Sequence, residues 1–161
     1  MLLEMELASC GRTCCLSGKS LAPGEAYFST LEMDAGSPIR RDYCVASWQG
    51  AGENVVAWWR SRVPLGDGGK PKLAPQDVLL DLFAELAKQP GEAAFRYVLG
   101  LLLLRRRIVK LVETRRDEAG EAMLLDCPRR DEQFELRVAA PSVQETERLE
   151  QRLVELLYGG E

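Results

Sequence analysis

Between Pro64 and Pro75 the chain places three prolines and three glycines within twelve residues. No helix interior or central strand absorbs such a run, because proline lacks the N–H that either ladder needs and glycine loses most backbone freedom on ordering. The segment therefore predicts a long loop or linker, with structure of different kinds on its two sides. The expected division is a β module over residues 1–63, a linker over 64–74 and an α+β domain over 75–161. A length of 161 residues suits one ordinary domain, or a small module joined to a modest one. The chain shows no internal repeat and no low-complexity tract.

The first part carries strand and turn signals. Glu25–Leu31 is rich in β-formers, Ala35-Gly36-Ser37-Pro38 turns the chain, and Ile39–Cys44 returns as the second arm of a hairpin. Asn54–Arg60 is a third strand candidate. Beyond the linker, Pro75 suits a first helical turn, and Val78, Leu79, Leu82, Phe83 and Leu86 fall on one helix face that ends at Gln89-Pro90-Gly91. Phe95, Val98, Leu99, Leu102 and Leu103 mark a second helix. Residues 108–114, 121–126 and 133–139 predict three strands, separated by turn clusters at Asp117–Gly120 and Pro128–Asp131. Phe134, Leu136 and Val138 alternate with Glu135 and Arg137, as in a half-buried strand. A last helix opens at Ser142-Val143-Gln144-Glu145, a capping-box pattern, and carries Leu149, Leu153, Leu156 and Leu157 as its stripe. The order helix, helix, three-strand meander, helix gives an α+β class.

Histidine is absent. Its absence removes Ser-His-Asp and Cys-His catalysis, histidine metal ligands and any imidazole proton relay. No Gly-x4-Gly-Lys-Ser/Thr, Gly-x-Gly-x-x-Gly or Gly-x-Ser-x-Gly motif is present. Gly18-Lys19-Ser20 has a P-loop ending without the upstream glycine. Asp77 and Asp81 sit one helical turn apart, where acids are favoured in any first turn. No catalytic residue is assigned, and the chain is expected not to be an enzyme.

Net charge is −4 and the isoelectric point about 5.1. The balance is uneven: residues 92–116 sum to +5, and residues 117–161 to −7. Overall acidity disfavours a duplex-DNA partner, since phosphate neutralisation dominates that affinity. Arg105-Arg106-Arg107 closes the second helix, where cations complement the helix dipole without any ligand. The longest apolar stretch, Tyr97–Leu104, is far short of the roughly 20 residues that span a bilayer, and the acidic N-terminus does not read as a signal peptide. The expected compartment is a reducing cytoplasm, with no membrane partner.

Four of five cysteines fall in the first 44 residues: Cys10, Cys14, Cys15 and Cys44. Cys10-x3-Cys14 before a turn, and Cys44-Val45-Ala46-Ser47 after the hairpin, give the layout of a zinc ribbon whose last thiolate is replaced by serine. The candidate metal residues are Cys10, Cys14, Cys15 and Cys44. The choice between Cys14 and Cys15 is open, and Ser47, Asp42 or a water stands at the fourth position. The implied cofactor is one structural zinc. The opposing reading is a ribbon without metal, whose thiols pack as small hydrophobes.

Cys14-x-x-Ser17-Gly18-Lys19-x-Leu21-x-Pro23-Gly24-Glu25, Arg41-Asp42-Tyr43-Cys44, Trp58-Trp59 and Leu101–Leu104 with Arg105-Arg106 resemble a family of uncharacterised bacterial proteins with a degenerate zinc-ribbon-like N-terminal module. The resemblance spans most of the chain and implies no activity.

Trp48, Trp58 and Trp59 all lie in the first part, near Arg40, Arg41, Arg60 and Arg62. Such a set serves either as a small core with arginines on its outer faces or as a stacking platform for single-stranded bases. The expected function is a non-enzymatic protein-interaction or adaptor protein. The alternative is a small RNA or single-stranded nucleic-acid binder, with Trp58, Trp59, Arg60 and Arg62 as the candidate surface in either case.

Overall fold

A computed structural model describes residues 13–65 and 72–159. Eight strands, three α-helices and two short 3-10 turns follow one another in a mixed α+β order: β1 (Ala26–Asp34), β2 (Ser37–Cys44), β3 (Val55–Arg62), β4 (Lys72–Leu73), α1 (Gln76–Leu86), α2 (Ala93–Arg105), β5 (Lys110–Asp117), β6 (Gly120–Cys127), β7 (Glu132–Arg137), α3 (Val143–Leu157) and β8 (Tyr158–Gly159). The 3-10 turns are Val45–Ser47 and Pro90–Glu92. The expected strands and helices are all present, each with ends displaced by a few residues.

Of the described residues, 13–65, 72–82 and 150–159 form one compact unit and 83–149 the other. These units do not follow the expected split into 1–63 and 75–161. Two interactions bring the end of the chain into the first unit. Lys72 and Leu73 pair antiparallel with Gly159 and Tyr158. Arg40 Nη1 donates to the carbonyls of Leu156 and Tyr158, at 3.3 and 2.6 Å. The segment expected to be a linker thus contains a short strand of its own.

In the first unit the sheet order is β2-β1-β3, antiparallel throughout. Ala35 and Gly36 both adopt positive φ, 51° and 85°, and join β1 to β2 in a two-residue turn whose twist matches the strands. One sheet face is buried and carries Tyr27, Ser29 and Leu31 of β1, Asp42 of β2, and Ala57, Trp59 and Ser61 of β3. Its polar members are answered within the unit. Arg40 Nε donates to Asp42 Oδ1 at 3.1 Å, Arg40 Nη2 to Ser29 Oγ at 3.1 Å, and Ser29 Oγ to Asp42 Oδ1 at 2.5 Å. The guanidinium lies over Trp59, 5.1 Å from the ring centre.

In the second unit β5-β6-β7 is an antiparallel meander. Phe83 meets Phe134 edge-on at 5.2 Å. Gly100 of α2 lies so close to Leu136 of β7 that an added Cβ would clash with it. Arg96 is buried, donating to the carbonyls of Phe83 and Glu135 at 2.9 and 2.8 Å and lying over the Phe83 ring. Helix α2 ends with Arg107 at φ 60°; Ile108 N–H bonds Leu103 O and Arg107 N–H bonds Leu104 O, the Schellman closure. Ser142 Oγ caps α3 by accepting from Glu145 N–H at 3.1 Å. No helix among the described residues is long and apolar enough to cross a membrane.

Candidate functional site

Two features of the first unit place chemistry-bearing side chains together: a pair of cysteine turns at one end of the sheet, and the sheet's open face.

The first cysteine turn runs from Cys14 to Ser17. Cys14 N–H bonds Lys19 O, Gly18 N–H bonds Cys14 O, both at 2.9 Å, and Thr13 bridges Ser20. Gly18 supplies the positive φ of 74° that lets the chain double back. The second turn is the 3-10 segment after β2, with Cys44 preceding it and Ser47 closing it. The two turns meet. Cys15 N–H bonds Asp42 O at 2.9 Å, and Ser17 Oγ lies 4.0 Å from Cys44 Sγ. Ser17 N–H donates to Cys14 Sγ at 3.5 Å, and the Cys44 thiol donates to Ser47 Oγ at 3.3 Å.

Cys14 and Cys44 are 1% and 3% exposed and pack with Leu21, Tyr27 and Val63 as one apolar cluster. Burial raises the Cys14 thiol pKa. Hydrogen bonds from Ser17 and from the backbone N–H groups of Cys44, Ser17 and Leu16 outweigh that and lower it from 9.0 to about 6. Lys19 stands nearby, paired with Glu25 at 2.9 Å.

The candidate metal residues therefore separate. Cys14 and Cys44 come together. Cys15 is exposed and lies beside Tyr43, whose pKa is raised first by burial and then by Cys15. Cys10 lies outside the described residues. Ser17 was not singled out as a site residue from sequence, although Cys14-x-x-Ser17-Gly18 has the same spacing as Cys44-x-x-Ser47. Among the described residues the donor set is two sulfurs and two neutral hydroxyls. These four by themselves do not fit a structural zinc, whose four positions are filled by thiolate, imidazole or carboxylate. Among the described residues no group of three or more Cys, Asp or Glu is placed to hold a metal ion.

On the open face of the sheet, period-two alternation brings Phe28, Thr30 and Glu32 of β1 beside Arg41 and Tyr43 of β2 and Trp58, Arg60 and Arg62 of β3. Phe28 stands opposite Tyr43 and Arg60, and Thr30 opposite Arg41 and Trp58. The chain after the second cysteine turn returns Trp48 onto this face, where it stacks on Phe28 at 4.6 Å with planes 6° apart. Trp58 lies 5.7 Å from Trp48 and 6.1 Å from Phe28, both tilted. It is 51% exposed, whereas Trp59, on the other face, is 6% exposed. Arg60 is exposed with its guanidinium 5.9 Å from the Phe28 ring centre, and Arg62 is exposed and donates to Gly24 O at 3.0 Å. Arg41 pairs with Glu32 at 3.3 Å. Of the four candidate surface residues, Trp58, Arg60 and Arg62 share the open face and Trp59 belongs to the core.

No protein-family model, no curated protein and no solved structure matches the chain.

Proposed function

We propose that the protein is a non-enzymatic interaction protein, working in the cytoplasm, whose open sheet face takes an acidic segment of a protein partner bearing an apolar anchor. The observation that carries this reading is Trp58, half-exposed at the rim of the Phe28–Trp48–Trp58 cluster and flanked by Arg60 and Arg62 on the same strand. Tryptophan and arginine dominate the residues that contribute most at protein interfaces, and an aromatic centre ringed by polar groups is the usual anatomy. Arg41, Arg60 and Arg62 against Glu32 and Asp34 leave the face with one surplus positive charge, which favours an acidic partner. The absence of histidine from the sequence removes imidazole-based catalysis.

Selection of displayed random peptides on the intact protein, followed by titration of chosen peptides against wild type and Trp58→Ala, tests this. The reading predicts acidic peptides with an aromatic or aliphatic anchor, at least about tenfold weaker binding to the variant, and modest salt dependence. Peptides that bind both proteins equally would overturn it. A single-stranded oligonucleotide titrated in parallel tests the alternative. Binding that needs Trp58 and collapses steeply with salt would replace the protein partner with a nucleic acid.

A further inference from the structure

We propose that the two cysteine turns form one four-position site made of residues 14, 17, 44 and 47, closed in this chain by hydroxyl–sulfur hydrogen bonds instead of a metal, so that thiols at 17 and 47 would turn it into a tetrathiolate zinc site. The geometry points to these four positions. Each turn presents its first and fourth residues, Cys14 with Ser17 and Cys44 with Ser47, and contacts run both within and between the turns. Ser17 N–H reaches Cys14 Sγ at 3.5 Å, Cys44 Sγ reaches Ser47 Oγ at 3.3 Å, and Ser17 Oγ stands 4.0 Å from Cys44 Sγ. Turns of this kind hold thiolates around a shared ion because backbone N–H groups point at sulfur. Here the Ser17 N–H is such a donor to the Cys14 sulfur.

A serine hydroxyl stays protonated near neutral pH and is a poor zinc ligand, so the wild-type set supplies two strong donors where a closed site needs four. The same hydroxyl is a good hydrogen-bond partner for sulfur. Ser47 accepts from Cys44, and Ser17 is within weak hydrogen-bonding range of it. The apolar cluster of Leu21, Tyr27 and Val63 around both cysteines holds the site without any ion. The assignment excludes Cys15, which turns to Tyr43, and makes Cys10 unnecessary.

The test compares the wild-type chain with Ser17→Cys/Ser47→Cys, each with and without Cys10→Ser. Zinc is titrated against a chromophoric chelator, cobalt(II) serves as the spectroscopic probe, and tryptophan fluorescence reports folding. The proposal predicts no equimolar zinc retained by the wild type. It predicts one zinc per double variant, bound at least about a thousandfold more tightly, a tetrathiolate cobalt spectrum, and no effect of Cys10→Ser. Equimolar zinc held by the wild type and lost in Cys44→Ala would overturn it. A folded double variant that binds no zinc, or that binds only when Cys10 is present, would also overturn it. Should the double variant not fold, Ser47→Cys alone is read the same way, and tighter zinc binding than wild type is required.

Discussion

The two three-stranded sheets are alike in size and antiparallel pairing, yet their uncovered surfaces are made differently. On the first, the open face of β2-β1-β3 gathers Phe28, Trp48 and Trp58 into ring contacts and leaves Trp58 half-exposed. On the second, every residue of β5 is exposed, and the surface is laced with ion pairs: Arg115–Glu113, Arg116–Glu121 and Arg137–Asp117 at 2.6, 3.7 and 2.8 Å. Exposed pairs of this kind contribute little and are screened by salt. The ion pairs suit contact with water, although β5 also exposes Leu111 and Val112, 51% and 53%. The first sheet adds rings in mutual contact, and an aromatic cluster that stays partly wet holds apolar area that association would bury, which is why the proposed binding face is placed there. The cores differ as well. Arg40 is held by a carboxylate, a hydroxyl and two carbonyls, whereas the hydrogen bonds of Arg96 run to the carbonyls of Phe83 and Glu135, and its pKa is lowered by burial and raised back in part by Glu135.

The largest effect that would break this comparison lies at Arg40. Arg40→Ala leaves Asp42 buried without its cation and frees the carbonyls at the end of α3, so a loss of about 3–5 kcal/mol is expected in urea unfolding. A loss near that of an exposed pair would mean that the first unit does not depend on this network. In the second unit, Gly100→Ala sets a methyl against Leu136 and is expected to cost about 1–3 kcal/mol. An unchanged midpoint would show that α2 and β7 are not in close contact.

The pH dependence sharpens the contrast further. Because the folded Cys14 pKa is lowered from 9.0 to about 6, its thiolate stabilises the native state at high pH, and that contribution is lost as pH falls through the window between them. Stability should therefore rise from pH 6 to 9, by up to about 1.4 kcal/mol per pH unit, and the slope should flatten in Cys14→Ser. A wild-type slope that survives the substitution would place the titration elsewhere. The smallest effect is at the second sheet's surface: Asp117→Ala removes the bidentate pair with Arg137, at 2.8 Å for both bonds, and should cost under about 1 kcal/mol and less still at high salt.

Much of this was legible in the sequence for identifiable reasons. The apolar spacing of Val78, Leu79, Leu82, Phe83 and Leu86 needs no partner to be read as a helix face, and all five are buried. Ala35-Gly36 between two β-rich runs announces a hairpin. The turn at Cys14–Ser17 was less visible, because a serine at the fourth position resembles any turn serine until its hydroxyl is seen beside Cys44. Arg40 was legible only as one of the arginines beside the tryptophans. Its hydrogen bonds were not, because an arginine followed by Asp42 on a strand reads as surface charge and its partners Leu156 and Tyr158 are more than a hundred residues away.

By itself the sequence determined the succession of helices and strands, the hairpin turn, and the placing of Trp58 and Trp59 on opposite faces of β3, because local periodicity and turn chemistry act within a few residues. Only the tertiary structure decided which of those tryptophans is buried, that Ser17 stands beside Cys44 as Ser47 does, and that β4 pairs with β8 at the far end of the chain. Pairings of two residues and single long-range hydrogen bonds leave no period in the chain, and burial is settled by which face meets the rest of the fold.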